Sequence, residues 1–153
     1  MQVMTYDEHG PGWSAPGPVS GLDWVEQSLT YAASVVPASK LLIGLPAYGY
    51  DWDLTTSNAA SNSYVGSSIN WVDFASVLAT PGTAFHWDTL SASPYADYTT
   101  TDRHNHEMWY ETAQSIEAKA RLIGQYGLGG MSMWSLGRED ATFWQAVSAG
   151  LTP

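Results

Sequence analysis

Aromatic side chains and carboxylates occur together in three short segments of this chain, and each segment follows a predicted strand. The segments are residues 4–9, 46–53 and 133–140. Aromatic rings stack on the apolar C–H faces of a sugar, while carboxylates and phenols form hydrogen bonds with its hydroxyl and amide groups. In parallel α/β folds the functional groups lie at the carboxyl ends of the strands. We therefore expect the three segments to meet and to favour a neutral, hydroxyl-rich ligand.

The charge of the chain excludes other classes of partner. Five Lys and Arg residues stand against fifteen Asp and Glu residues, a formal net charge of −10. Nucleic acid and anionic membranes repel such a surface, and the five basic residues form no local run. No apolar run approaches the roughly 20 residues that cross a bilayer. The sequence thus predicts no nucleic-acid partner and no membrane partner.

The elements that must position these segments alternate between strand and helix. Residues 2–7 are apolar at most positions and predict a strand. The apolar runs over residues 40–50 and 129–136 predict strands buried on both faces. Helical spacing of apolar residues predicts helices over 20–36 and 112–126, and a last one between Asp140 and Gly150. Ser20 with Asp23 resembles a capping box, and Gly127 and Asp140 are the expected caps of the later helices. This alternation predicts an α/β fold with parallel strands, and three strands cannot close a barrel.

A stretch of different character interrupts the alternation. Residues 54–108 are rich in Ser, Thr, Asn and Ala, and we interpret them as a small α+β insertion within a single unit covering 1–153. Within it a short helix is predicted near 69–79, and short strands at 85–87 and 95–99, with another over 106–110.

Three motifs resemble glycoside hydrolase family 18, and in particular its branch of spore-cortex-lytic N-acetylglucosaminidases. Met4-Thr5-Tyr6-Asp7 is similar to the family's Met-x-Tyr-Asp on the sixth barrel strand. Residues 42–52 (LIGLPAYGYDW) and 129–137 (GGMSMWSLG) resemble the seventh and eighth strands. The resemblance implies that the chain is the C-terminal part of a (β/α)8 TIM barrel, covering strands six to eight.

The resemblance also implies a chemistry and roles for particular residues. The reaction would be a retaining, substrate-assisted hydrolysis of β-linked N-acetylglucosamine polymers, either peptidoglycan or chitin, without a cofactor. Tyr6 would donate its hydroxyl to the acetamido oxygen, and Asp7 would hydrogen-bond the sugar beside the reacting centre. Met4 would contact the acetamido methyl group, and Trp134 would form the floor under the sugar. Further sugar contacts, for which core packing is the open alternative, are expected from Tyr48, Tyr50, Trp52 and Trp109.

One part of the family pattern is absent from this sequence. No segment approximates the catalytic run Asp-x-x-Asp-x-Asp-x-Glu, which carries the general acid. We therefore expect the isolated chain to be inactive. The alternative is a non-catalytic, lectin-like glycan-binding protein of the same fold. Either function implies an extracellular or cell-wall location, with any signal peptide upstream of this segment.

Two further expectations concern metal binding and assembly. His104 and His106 share one face of a strand, and with His86 they suggest a metal site. Because the sequence shows no cysteine and no carboxylate set beside them, the prediction is that no metal binds. Three strands of a barrel leave strand edges unpaired, so self-association through these edges is expected.

Overall fold

The computed structural model describes residues 1–152. Its strands are β1 (Gln2–Val3), β2 (Leu42–Pro46), β3 (Tyr48–Asn58), β4 (Ser63–Asn70), β5 (Ala84–Asp88), β6 (Ser93–Thr99), β7 (Asn105–Trp109) and β8 (Gly130–Trp134). Its α-helices are α1 (Leu22–Val35), α2 (Phe74–Leu78), α3 (Ala113–Tyr126) and α4 (Ala141–Leu151). None of the helices in this described part is long and apolar enough to span a membrane.

A parallel sheet of three strands holds the core, in the order β1-β2-β8. Leu42 to Pro46 pair in register with Gly130 to Trp134, and Gln2 and Val3 pair with Leu42 and Ile43. The main core cluster joins β2 to helices α1, α3 and α4. The predicted α/β class with parallel strands is confirmed. The assignment of these strands as the sixth to eighth of a barrel stays a prediction.

All three predicted core strands are longer than the observed ones. The strand predicted over 2–7 has only two residues, because the Thr5 N–H turns back and donates to the Val3 carbonyl at 3.0 Å. The run at 40–50 divides at Ala47, where the chain leaves β2 of the parallel sheet and enters β3 of a second sheet. The predicted continuous strand over 40–50 is therefore wrong in detail. Apolar runs do not reveal where a strand changes sheets.

The predicted helix caps have mixed outcomes. Asp140 accepts the backbone N–H of Thr142 at 2.8 Å, and Gly127 ends α3 in the left-handed conformation, so both predictions are confirmed. The capping box predicted at Ser20 is wrong. Its hydroxyl donates instead to the carbonyl of Thr5 at 2.6 Å. The N-cap of α1 is Gly21, whose N–H donates to the Glu8 carboxylate at 2.8 Å.

The insertion contains an antiparallel sheet of five strands, in the order β4-β3-β7-β6-β5. This sheet begins at Tyr48 and ends at Trp109, whereas the sequence suggested an insertion over 54–108. β4 was not predicted at all, and the short helix α2 begins at Phe74 rather than near 69. Phe74 packs with Ala96, Tyr98, Met108 and Tyr110 to form a second small core.

Candidate active site

Asp7 lies four residues beyond the end of β1, where the backbone changes direction. Its φ of 63° is the left-handed conformation, which Asp tolerates better than most side chains. The preceding residues are held against the next strand, since the Thr5 hydroxyl donates to the Gly44 carbonyl at 2.7 Å. A side chain at position 44 would overlap the Val3 carbonyl and the Tyr6 ring. Glycine there lets the end of β1 lie directly against β2.

The Asp7 carboxylate is anchored by two phenols from β3. Tyr50 donates its hydroxyl to Oδ1 of Asp7 at 2.8 Å, and Tyr48 donates to the same oxygen. Burial raises the pKa of both phenols, and the hydrogen bonds to Asp7 raise the two pKa values further. Both hydroxyls therefore remain protonated donors across the neutral pH range.

Trp134 and Arg138 complete the site from the third strand end. Trp134 ends β8, is about half exposed (52%), and lies 6.4 Å from the Tyr6 ring centroid. The Arg138 guanidinium carbon lies 5.5 Å from the centroid of the Tyr48 ring, a cation–π distance. The peptide between Trp134 and Ser135 is cis. Aromatic faces, a carboxylate and a guanidinium thus border one space.

That space is a pocket of about 270 Å³. It is open to solvent on one side. Its walls are formed by Asp7, Pro11, Tyr48, Tyr50, Gly66, Ser67, Ser68, Trp134 and Arg138. The three aromatic-carboxylate segments do meet at the carboxyl ends of the parallel strands. A pocket of this size with hydroxyl donors, a carboxylate and an exposed indole suits one sugar ring.

Four of the eight predicted site residues line this pocket, namely Asp7, Tyr48, Tyr50 and Trp134. Tyr6 is buried (8% exposed) beside it, with ring contacts to Tyr48 and Trp134. Met4 is largely exposed (67%) and lies outside the pocket wall. Tyr6 and Met4 therefore lie beside the pocket and do not line it.

The two remaining tryptophans do not face the pocket. Trp52 is fully buried, and its indole N–H donates to the Ser14 carbonyl at 3.2 Å, because the loop after β1 covers this side of the sheet. Trp109 stacks on Tyr95 with ring centroids 4.6 Å apart and donates to Glu107 at 2.6 Å. Burial raises the pKa of Glu107. For Trp52 the expected sugar contact is replaced by core packing, the alternative that the sequence left open.

Several residues of the pocket were missed from the sequence. Ser67 and Ser68 lie on β4, whose Ser- and Asn-rich sequence gave no strand signal. Pro11 belongs to the Gly/Pro-rich loop after β1. Arg138 did carry a signal, as one of five basic residues and the only one that closely follows a core strand. In an acidic chain that position favours a functional cation.

The histidines of the insertion are placed differently from the expectation. His104 contacts Asp53, and His106 contacts Asp51, through ring nitrogens 2.7 and 2.8 Å from a carboxylate oxygen. His86 lies apart from them and contacts Asp97 at 3.0 Å. The premise that no carboxylate set lies beside His104 and His106 is wrong. The two aspartates come from β3, about 50 residues earlier in the chain.

The fold is α/β, and its candidate pocket lies beside the carboxyl ends of the parallel strands. Residues 1–139 match the family described as glycosyl hydrolases family 18. The chain belongs to that family.

Relatives of known sequence and structure support this membership. The chain is 33% identical over 150 residues to an uncharacterized glycosylase, YvbX, of Bacillus subtilis (strain 168), covering 98% of this chain and 42% of the relative. It is 33% identical over 147 residues to the cortical fragment-lytic enzyme of the same strain, covering 95% of this chain and 33% of that enzyme. A chitinase from Chromobacterium violaceum superposes with a TM-score of 0.90 at 42% identity, over 99% of this chain and 45% of that one.

The chain thus spans less than half the length of these relatives. The spore cortex-lytic enzyme SleL of Bacillus cereus also superposes, with a TM-score of 0.86 at 28% identity, over 97% of this chain and 34% of that one. The resemblance to the cortex-lytic branch and to chitinases is therefore confirmed at the level of the family and its α/β fold.

Proposed function

We propose that this chain supplies one wall of the sugar-binding site of a family 18 glycosidase that hydrolyses β-linked N-acetylglucosamine polymers. The observation that carries the proposal is the Asp7 carboxylate, held by the Tyr48 and Tyr50 hydroxyls in the wall of a pocket that Trp134 also lines. Membership of the family supports hydrolysis of a glycosidic bond.

The proposed mechanism is retaining and substrate-assisted, as in the exceptions among glycosidases to which this family belongs. The 2-acetamido oxygen of the sugar attacks the anomeric carbon, and the aglycone oxygen leaves as it is protonated. Asp7 accepts a hydrogen bond from the sugar close to this centre, while Tyr6 donates its hydroxyl to the acetamido oxygen. Trp134 stacks under the ring, and Met4 contacts the acetamido methyl group.

The hydrogen bonds to Asp7 explain how the carboxylate would be positioned. Two phenol donors on one oxygen fix its orientation and leave Oδ2 free for the substrate. Holding an acceptor in this way lowers the entropic part of the activation barrier. Burial on the protein side keeps both phenols protonated, so the arrangement persists throughout the neutral range.

We propose that the general acid of this mechanism is not supplied by these 153 residues. The sequence has no Asp-x-x-Asp-x-Asp-x-Glu run, and the carboxylate of Asp7 is placed to accept rather than to protonate a leaving group. We propose that the isolated chain is inactive and that the acid belongs to another part of the barrel.

The names of the relatives support a substrate class and a location for the protein. A cortical fragment-lytic enzyme and a chitinase are both among the similar proteins, which supports peptidoglycan or chitin as the substrate class. Both polymers lie outside the cytoplasm, so we propose an extracellular or cell-wall location. No nucleic-acid or membrane partner is proposed, in keeping with the net charge of −10.

A second candidate function is glycan binding without catalysis. The pocket lined by Asp7, Tyr48, Tyr50 and Trp134 supports it, because holding a sugar needs no general acid. The coding sequence upstream of Met1 discriminates between the two, since an in-frame acid run ending in Glu favours the enzyme and one lacking that Glu favours the lectin.

The proposal is tested on the isolated chain by ligand binding and by turnover. Saturation-transfer NMR with a soluble N-acetylglucosamine oligomer is expected to show binding that Asp7→Ala abolishes. Tyr31→Phe, at an exposed position on α1, is the matched control and should bind normally. A chromogenic N-acetylglucosaminide should not be turned over. Absence of oligomer binding by the unaltered chain contradicts the sugar site, and clear turnover contradicts the missing acid.

The expected self-association also stays a proposal. β1 and β8 each pair with β2 alone among the strands of residues 1–152, so each leaves one edge of hydrogen-bonding groups unpaired. The mass from size-exclusion chromatography with light scattering should rise with chain concentration. A constant monomer mass over a wide concentration range contradicts this proposal.

A further inference from the structure

Strands β3 and β7 bring four side chains with metal-binding chemistry to one face of the insertion sheet. Asp53 and His106 are direct cross-strand partners in the antiparallel register. Side chains two residues apart in extended chain share a face, so Asp51 joins Asp53 on β3, and His104, which immediately precedes β7, joins His106. The cluster lies further along β3 than Tyr48 and Tyr50, and none of its four residues lines the sugar pocket.

Three of these residues offer ligand atoms that converge. One donor atom each from Asp53, His104 and His106 lies within 4.8 Å of the other two, and all three residues are half-buried. The closest pair is Oδ2 of Asp53 and Nδ1 of His104, 2.7 Å apart. In a tetrahedral zinc site with bonds of about 2.0 Å, neighbouring ligand atoms lie about 3.3 Å apart. Small side-chain rotations would therefore bring the three donors to that spacing.

The fourth residue, Asp51, orients the His106 ring. Its Oδ2 lies 2.8 Å from Nδ1 of His106. Because a carboxylate only accepts, Nδ1 of His106 donates in this pair, and in that neutral tautomer Nε2 would be the nitrogen with a lone pair for a metal. In zinc sites the ring nitrogen of a histidine that does not bind the metal commonly donates to a carboxylate in this way. Tyr98 stacks on the His106 ring at 5.1 Å and 14°, which restrains its orientation further.

Asp53 is fixed in the same manner. Its Oδ2 accepts the Thr56 hydroxyl at 2.6 Å, and its Oδ1 accepts the Thr55 backbone N–H at 2.9 Å. These hydrogen bonds, with that to the His104 ring, orient the Asp53 carboxylate.

We propose that Asp53, His104 and His106 bind a divalent transition-metal ion, with zinc as the best match, and that Asp51 positions His106. Two imidazole nitrogens and one carboxylate oxygen suit zinc, with water in the fourth position, whereas calcium and magnesium prefer sites made of oxygen ligands. Zinc takes the place of the proton between His104 Nδ1 and Asp53 Oδ2, and that proton goes to solvent. The ion ties β3 to the start of β7 and stabilises the far end of the insertion sheet.

The chain contains its own control in His86. That residue forms a similar pair with a carboxylate, Asp97, on the same sheet, but no second histidine lies beside it. A nonspecific affinity of His–Asp pairs for zinc would therefore involve His86 as much as His104. The proposed site requires the convergence of two histidines.

The test is a zinc titration of the metal-stripped chain against a chromogenic chelator. We expect a single zinc ion per chain, and magnesium and calcium should not compete. His104→Gln and His106→Gln should each weaken zinc binding by at least about tenfold, and Asp51→Asn by about tenfold. His86→Gln should leave it unchanged. Equal weakening by His86→Gln, or no saturable binding, overturns the proposal.

A second measurement uses the unaltered chain and therefore needs no variant to fold. In the unaltered chain labelled with nitrogen-15, zinc should shift the imidazole nitrogen signals of His104 and His106 and leave those of His9 and His86 in place. Equal shifts of all four histidines would mean adventitious binding only and would overturn the site. The sugar-binding assays use none of these residues, so the metal site and the proposed function fail or succeed separately.

Discussion

The Tyr50 hydroxyl donates to Asp7 Oδ1 at 2.8 Å and so joins the two sheets of the molecule. Asp7 lies in the segment that follows the first strand of the parallel sheet, and Tyr50 lies on the first strand of the insertion sheet. Tyr48, two residues earlier on the same strand, donates to the same oxygen. The insertion is therefore part of the candidate site, and its first strand fixes the carboxylate on which the proposed function depends.

Removing either phenol hydroxyl should destabilise the chain, to different extents. Tyr48 is almost fully buried, and a buried hydrogen bond to a carboxylate contributes about 1.5–3 kcal/mol, so Tyr48→Phe should lower the free energy of unfolding by that amount. The Tyr50 bond is exposed, and Tyr50→Phe should cost about 0.5–1.5 kcal/mol. Urea denaturation measures both, with Tyr31→Phe as the exposed control. A Tyr48→Phe variant as stable as this control would contradict the assigned hydrogen bond.

Alkaline titration should reveal the same phenols. Burial raises the pKa of five of the nine tyrosines, namely Tyr6, Tyr48, Tyr50, Tyr98 and Tyr110. A phenol whose pKa in the folded state exceeds its unfolded value of about 10 stabilises the fold below that pH. This stabilisation is lost as the pH rises toward the folded-state pKa values.

The absorbance of ionised phenol at alkaline pH measures the effect. The rise in absorbance before unfolding should be smaller than nine free phenols would give. The remaining rise should accompany the unfolding transition. Tyr48→Phe should reduce only the part that appears on unfolding. If that variant reduces the earlier part instead, Tyr48 ionises in the folded state and its assigned environment is wrong.

Much of the candidate site could be predicted because its residues follow strands with clear apolar patterns. Asp7, Tyr48 and Trp134 each come within a few residues of a buried run, and parallel strands bring their carboxyl ends together. Tyr50 was predicted on the same ground, although its strand belongs to the other sheet. Local sequence was sufficient here because the topology of parallel strands determines where the ends lie.

The remaining features depend on long-range pairing that no local pattern carries. Ser68 reaches the pocket only because β4 pairs with β3, with Ser68 opposite Tyr50. Trp52 has the residue type of a sugar platform, yet the loop carrying Ser14 covers it. His106 and Asp53 become neighbours through the register of β3 with β7, across 53 residues of sequence. Burial and register are decided by the whole fold.

The buried pair of Lys119 and Glu111 should be sensitive to the loss of one partner. Both side chains are almost completely inaccessible, and Nζ lies 2.7 Å from Oε2. Lys119→Ala leaves a buried carboxylate without its counter-charge, and we expect a loss of about 3–5 kcal/mol in the free energy of unfolding. The exposed pair of Arg121 and Glu117 on the same helix is the control. Arg121→Ala should cost less than about 0.5 kcal/mol.

Urea denaturation of the two variants checks this difference. The double variant Lys119→Met/Glu111→Leu should recover most of the stability lost in Lys119→Ala, because replacing both charges by apolar side chains removes the uncompensated charge. If Lys119→Ala and Arg121→Ala cost the same, the lysine is not held in a buried ion pair.

Two helical glycines should respond to alanine with opposite signs. At Gly150 of α4 an added Cβ would lie 2.5 Å from the Glu117 carbonyl oxygen and 2.6 Å from Ala120 Cβ, so the two helices could not keep their separation. Gly150→Ala should therefore lower the free energy of unfolding by about 1–3 kcal/mol. At Gly124 of α3 an added Cβ would meet open space. Gly124→Ala should therefore raise the free energy of unfolding by up to about 1 kcal/mol, because alanine has the higher helix propensity. Thermal and urea unfolding of both variants give the signs, and a stabilising Gly150→Ala would show that α3 and α4 do not pack this closely.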